Sequence, residues 1–168
     1  MDQETALGRL RADHKEVSRR LEELLVNLDS VSDPADPDTA IALRNALEFI
    51  THEVWFHFKR EEQALFPAIS RVFPAENAPI VGGPVYVLTE EHGVLRKLVD
   101  RFADEVDHWE AGAPGAPEAV RLAGKQLVRA FQKHIYKEDN IVFRLTQQML
   151  TPDELAAIDV AFAAVQAP

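Results

Sequence analysis

The sequence predicts an all-α fold, an up-down-up-down antiparallel four-helix bundle with a short C-terminal helix, and three observations carry that prediction. Apolar residues recur at three- and four-residue spacing along four long stretches of the 168-residue chain, which puts one apolar stripe on one face of each helix. Breaks containing proline and glycine separate the stretches. A histidine-bearing pattern also occurs twice, its two copies offset by 77 to 78 residues.

The first helix is expected from about residue 5 to 29, with Leu7, Leu10, Val17, Leu21, Leu24 and Leu28 on one face and His14 inside that stripe. SDPADPD then breaks it, and Asp38 is the expected N-cap of the second helix. Leu43, Ala46, Ile50, Val54, Leu65, Ile69 and Val72 form the buried face of that helix, with His57 and Glu61 filling the gap in the stripe, and its end is expected near Phe73. Pro67 lies within it and should kink it or end its regular part, because proline has no amide donor and clashes with the preceding turn.

PAENAPIVGGP reads as a loop, followed by a third helix marked by Leu88, Leu95, Leu98, Val99, Phe102, Val106 and Trp109, with His92 in phase. AGAPGAP closes it. The fourth helix is expected from about Pro117 to Leu150, with Val120, Leu127, Phe131, Ile141 and Leu145 inward and His134 and Glu138 on the same face. Thr151, Pro152 and Glu154 have the pattern of a capping box and start a short helix bearing Leu155, Ile158 and Phe162. Residues 1–150 are thus expected to form the bundle, and 151–168 a short helix packed on the same domain.

Composition narrows the chemistry. A formal charge of −10, with no Lys/Arg-rich block, argues against nucleic-acid and membrane partners and suits a cation. With no cysteine, a metal must be held by nitrogen and oxygen, which favours iron, manganese or zinc. The N-terminus lacks a signal-like pattern and no apolar run approaches the roughly 20 residues of a membrane span, so a cytoplasmic location is expected.

The repeat locates the candidate site. HFKREEQALF at 57–66 and HIYKEDNIVF at 134–143 share His first, Glu fifth, an acid sixth, an amide seventh and Phe tenth. DHKEVSRRLEEL at 13 matches EHGVLRKLVDRF at 91 more loosely. Two helical hairpins, each with one lone His and one His-x-x-x-Glu, suit a two-metal site with matching halves. Residues four apart on a helix differ by only about 40° around the axis, so each His-x-x-x-Glu aims an imidazole and a carboxylate the same way. In an alternating bundle His14, His57, Glu61, His92, His134 and Glu138 fall in one layer, where four imidazoles and two carboxylates would be costly to bury without a cation pair.

This ordered set of His, His-x-x-x-Glu, His, His-x-x-x-Glu on four successive helices resembles the hemerythrin-like, or HHE cation-binding, family. The phrases DH, HFKREEQALFP and EH are in the same style, and the resemblance runs from residue 5 to about 150. It implies two non-haem iron ions bridged by two carboxylates and an oxo or hydroxo group, with zinc or manganese able to replace iron in a preparation. It also implies binding of dioxygen, nitric oxide or peroxide in sensing, stress response or iron handling. A di-iron enzyme with peroxidase/catalase-like or nitric-oxide-reducing activity is one alternative, and a metal-free structural helical module another. One departure stands out: oxygen-carrying members place His-x-x-x-His on the third helix, whereas the residue four after His92 is Arg96. That disfavours oxygen storage and favours a coordinatively open, reactive centre.

Neighbouring residues are assigned as follows. His52 and His108 fall out of phase and are excluded as ligands, and Tyr86 and Tyr136 are also out of phase. Glu53, one turn before His57, is a candidate acceptor for an imidazole N–H or an additional ligand. Glu62 and Asp139 rotate away and are expected at the surface, and Arg96 is expected to snorkel outward. Phe58, Phe66, Phe131 and Phe143 are core residues that would also wall the centre.

Overall fold

The computed structural model describes residues 5–72 and 83–167, and every regular element among them is helical. Helix α1 spans Ala6–Asp29, capped by the Thr5 hydroxyl, which accepts from the Gly8 amide at 3.1 Å. Helix α2 covers residues 37–72 as a continuous run: α-helical Pro37–Phe49, a π turn at Ile50–Val54, α-helical Trp55–Arg60, a second π turn at Glu61–Leu65, and α-helical Phe66–Val72. Helix α3 is Gly83–Glu110. Helix α4 runs from Ala116–Lys137 through a π turn at Glu138–Val142 into Phe143–Met149, and α5 is Pro152–Ala164.

The ends follow capping chemistry, with one correction. The N-cap of α2 is Asp36, not Asp38: its carboxylate accepts from the Thr39 amide at 2.9 Å and from the Thr39 hydroxyl at 2.8 Å. Pro37 then takes the first helical position, where its missing N–H costs nothing. The expected capping box at α5 is formed, with Thr151 Oγ1 accepting from the Glu154 amide at 3.3 Å and the Glu154 carboxylate accepting from the Thr151 amide at 2.8 Å. Gly115, at φ 77°, leads into α4 in a conformation that other L residues adopt only at a cost. Most of the expected loop at 74–84, and the end of the second helix near Phe73, lie outside the described residues, although Gly83 and Pro84 already belong to α3.

Three π turns among the described residues are the feature that periodicity did not reveal. Pro67 neither ends the helix nor stands in a regular one; it is the second residue of Phe66–Val72, directly after the π turn at Glu61–Leu65. A π turn adds one residue to the helical repeat, so residues beyond it change face. In α4 this moves Ile141, expected inward, to 49 % exposure, while Val142, Phe143 and Thr146 are buried.

The apolar side chains form two clusters. One holds Val17 to Leu28 of α1, Leu43 to Phe58 of α2, Leu95 to Trp109 of α3 and Ala116 to Phe131 of α4. The other holds Ala6 to Leu10, Ala64 to Ile69, Leu88, Val142 to Leu150, and Ile158 and Phe162 of α5. Between them, on each of the four long helices, lies a short interval that neither cluster occupies.

Candidate metal centre

His14, Glu61, His92, and His134 with Glu138 lie in those four intervals, His57 stands at the edge of the first cluster beside Phe58, and all six are 3 % exposed or less. Their side chains converge in two overlapping groups, His14, His57, Glu61 and Glu138, and Glu61, His92, His134 and Glu138, with the nitrogen and oxygen atoms of each group within 4.8 Å of one another. Both glutamates belong to both groups. Each is also the first residue of a π turn, a local widening of the helix often found at functional positions.

Nδ1 of every one of the four imidazoles meets a carboxylate. His14 lies 2.9 Å from Asp139, His57 3.1 Å from Asp13, His92 2.8 Å from Glu62 and His134 3.1 Å from Glu91. A carboxylate only accepts, so each Nδ1 carries a hydrogen and each Nε2 points inward, presenting a lone pair whenever the ring is neutral. His14 Nε2 is 3.1 Å from Glu138, and Nε2 of His57, His92 and His134 each lie 3.4 Å from a glutamate oxygen.

With the rings neutral, no donor among the described residues answers these acceptors. Both oxygens of Glu61, both of Glu138, and Nε2 of His92 and His134 are buried without a hydrogen-bond partner. Nε2 of His14 and of His57 face each other at 3.1 Å, where two lone pairs repel unless a proton or a cation stands between them. Buried acceptors without partners cost several kcal/mol each, so the donor set fits cations. The separations of 3.1–3.4 Å are close to the roughly 3 Å between neighbouring ligands of an ion with bonds of about 2.1 Å.

The electrostatics point the same way. Burial disfavours a charged ring at both His14 and His57, but the carboxylates outweigh it: Asp139 and Glu138 raise His14 to about 9, and Glu61 and Asp13 raise His57 to about 10. Burial would likewise keep Glu61 neutral, yet His57 and His92 hold it well below the ordinary carboxylate range. The pocket therefore attracts positive charge, as a metal site must.

A model described as the hemerythrin HHE cation binding domain matches residues 5–146. The chain belongs to the hemerythrin family. That membership implies binding of non-haem iron, which the nitrogen and oxygen donors suit. Among curated proteins, the chain is similar to the iron-sulfur cluster repair protein YtfE of Yersinia pseudotuberculosis serotype IB, 28 % identical over 110 residues, which are 64 % of this chain and 48 % of that protein. It is likewise similar to YtfE of Yersinia pestis strain Pestoides F, 27 % identical over the same shares of each chain. The chain spans about half the length of these relatives.

Within the hemerythrin domain, the structure revises several expectations. Glu62 and Asp139 are not free surface charges: each is about one third exposed and accepts from a site histidine. Asp13 and Glu91 do the same, and Glu53, the expected acceptor, is exposed while Asp13 takes the His57 N–H. Position could have shown this, since each of these acids directly precedes a lone histidine or directly follows a site glutamate. Arg96 reaches outward as expected, but its guanidinium also pairs with Glu62 at 3.1 Å and lies over Trp55 and Phe58. His52, Tyr86 and Tyr136 are exposed and His108 is 68 % exposed, all away from the six residues.

The aromatic walls are in place. Phe58 stacks on His92 at 3.7 Å and Phe143 on His14 at 5.4 Å, with Phe66 5.5 Å from His92. The second copy has Ile135 where the first has Phe58, so the two halves differ. A cavity of about 10 Å³ remains among His14, Val17, Val54, His57, Phe58, Phe131, His134 and Ile135, about the space of a single water. No helix among the described residues is long and apolar enough to cross a membrane.

Proposed function

We propose that this chain holds two non-haem iron ions, one on His14 and His57 and the other on His92 and His134, with Glu61 and Glu138 shared between them, and that the pair binds a small diatomic or peroxide ligand. The observation that carries this reading is the convergence of Nε2 of four imidazoles and the oxygens of two carboxylates in one buried layer, where the described residues bring no donor of their own apart from a proton on the rings. A metal-free structural module would have to answer those acceptors with protons on the buried rings alone.

Iron bound here supplies Lewis acidity and one-electron chemistry. The protein's own residues do the rest. Asp13, Glu62, Glu91 and Asp139 fix each ring's tautomer and orientation. Phe58, Phe66 and Phe143 keep water from the imidazole faces. The space of about 10 Å³ beside His14 and His57 is too small for an organic substrate.

The four long helices alternate in direction in this reading. Support comes from the two apolar clusters: α1 and α3 give their first turns to the cluster that α2 and α4 join with their last turns. Residues 151–168 add α5 to the same domain, with Ile158 and Phe162 in that cluster. A cytoplasmic role in iron handling or stress response fits a centre with two histidines per metal and Arg96 where oxygen carriers have another. The likeness to proteins named for iron-sulfur cluster repair supports it further.

Turnover of peroxide or nitric oxide is the second reading, favoured by the same low histidine count. Protein loaded with iron in the reduced state should bind about two irons per chain and show a quadrupole doublet of high-spin iron in its Mössbauer spectrum. Chains that hold no stoichiometric iron after reconstitution would sink both readings. Stopped-flow mixing with dioxygen, nitric oxide and peroxide then separates them: a stable adduct marks binding, and repeated consumption of the ligand marks an enzyme.

A further inference from the structure

The two halves of the site use the same imidazole–carboxylate pairs at nearly the same distances, 2.9 and 3.1 Å at His14 and His57 and 2.8 and 3.1 Å at His92 and His134. They differ in what stands behind each carboxylate. Glu62 Oε1 accepts from His92 and also from Arg96 at 3.1 Å. Glu91 accepts from His134 through one oxygen and pairs with the Lys137 ammonium through the other. Behind Asp139 there is no cation among the described residues. Behind Asp13 the described residues place only Arg60, at 3.7 Å and beyond hydrogen-bonding range, its guanidinium lying over the rings of Phe56 and Phe162 at 4.0 and 4.7 Å.

A carboxylate behind a metal-bound imidazole makes the ring a stronger donor, and a cation on that carboxylate withdraws the effect and adds repulsion toward the metal. We infer that the two metal positions are unequal: the one at His14 and His57 fills first and holds its ion, and the one at His92 and His134, weakened by Arg96 and Lys137, is the exchangeable position. This rests on the proposed two-metal reading and deepens it. Substitutions of outer partners change metal affinity by about 10- to 100-fold. Arg96 and Lys137 are 42 % and 41 % exposed, and solvent screening places their joint effect near the lower end, about tenfold.

The test uses Zn²⁺, which is diamagnetic, added to the metal-free full chain labelled with ¹⁵N in the histidine rings. The first equivalent should move the resonances of His14 and His57, and the second those of His92 and His134. Calorimetric titration should show two steps, whose gap narrows about tenfold in the Arg96→Met/Lys137→Met double variant. In Arg96→Lys/Lys137→Arg, which keeps both charges, the gap should remain. Reverse order, both ring pairs moving together, or a gap that the Met variant leaves unchanged or that both variants narrow equally would overturn the inference while leaving the two-metal reading intact. No zinc bound at either pair would overturn both. The order of loading in the unaltered chain needs no variant, so a folding defect cannot obscure the answer.

Discussion

Removing the metal should make the stability of this protein fall as pH rises through the alkaline range, a dependence that the metal-loaded protein lacks. Without metal, His14 is raised from 6.5 to about 9 and His57 from 6.5 to about 10. A group with a folded pKa above its unfolded value contributes stability that is fully present below the unfolded value and is lost as pH rises through the folded one. For these rings the loss begins above about pH 6.5 and is complete above about pH 10. Each tenfold gain in proton affinity is about 1.4 kcal/mol, so a proton held by this buried pair carries a few kcal/mol, a large share of the roughly 5–15 kcal/mol that holds a typical domain. Glu61, held low, contributes in the opposite sense: its stability is present above about 4.5 and is lost only as pH falls through its folded value, outside this window. Urea midpoints of the chelated protein at pH 6.5, 7.5 and 8.5 should therefore decline in order, whereas those of the loaded protein should stay level because metal has replaced the protons. Chelated protein with a flat or rising stability across that range, or equal slopes in the two forms, would refute the reasoning.

Glu138→Ala should abolish stoichiometric metal binding while His52→Ala, at an exposed position, leaves it intact; plasma emission analysis of the two proteins prepared alike decides this, and equal losses would count against the proposed ligand set. Asp139→Asn, which removes the charge 2.9 Å behind His14, should weaken the first metal-binding step by about 10-fold or more, read by calorimetry. Gly124→Ala places a Cβ 2.6 Å from both terminal carbons of Leu28, a fully buried residue, and should cost about 1–3 kcal/mol in urea denaturation through overpacking. Asp36→Ala removes the cap of α2 and should cost about 1 kcal/mol, whereas Asp38→Ala, in the first turn but not at the cap, should cost less; denaturation midpoints of the two variants test the reassignment.

How far the sequence could be read depended on which interactions are local. Helical phase placed all six candidate residues on buried faces, and every predicted inward residue of α1, from Leu7 to Leu28, is buried. Phase also excluded His52, His108 and the two tyrosines. It failed where the helical repeat itself changes. The π turn at Glu138–Val142 reverses the assignment of Ile141, and nothing in the residue types of EDNIV announces an extra residue in the turn. The acids behind the histidines were missed for a different reason. A 100° rotation from a buried neighbour suggests solvent on an isolated helix, but in a bundle that direction faces the adjacent helix, and Glu62 and Asp139 reach His92 and His14 across it.

Those cross-helix contacts also explain why the duplication makes one site rather than two. Within a repeat, Asp13 orients His57 and Glu91 orients His134; between repeats, Asp139 orients His14 and Glu62 orients His92. Phe66 and Phe143 cross in the same way, each packing on the lone histidine of the other repeat. Each of the two convergent groups takes two histidines and one glutamate from its own repeat and the second glutamate from the other. One hairpin alone would thus have an incomplete set of donors, a lone histidine without its acceptor, and an uncovered imidazole face. An ion held by either group would tie the two repeats together, because a ligand that binds only the assembled state stabilises that state. Metal loading should accordingly slow amide hydrogen exchange in α1 and α2 as much as in α3 and α4, even at one equivalent. Protection confined to the repeat that supplies the first pair of histidines would show that the shared glutamates do not couple the halves.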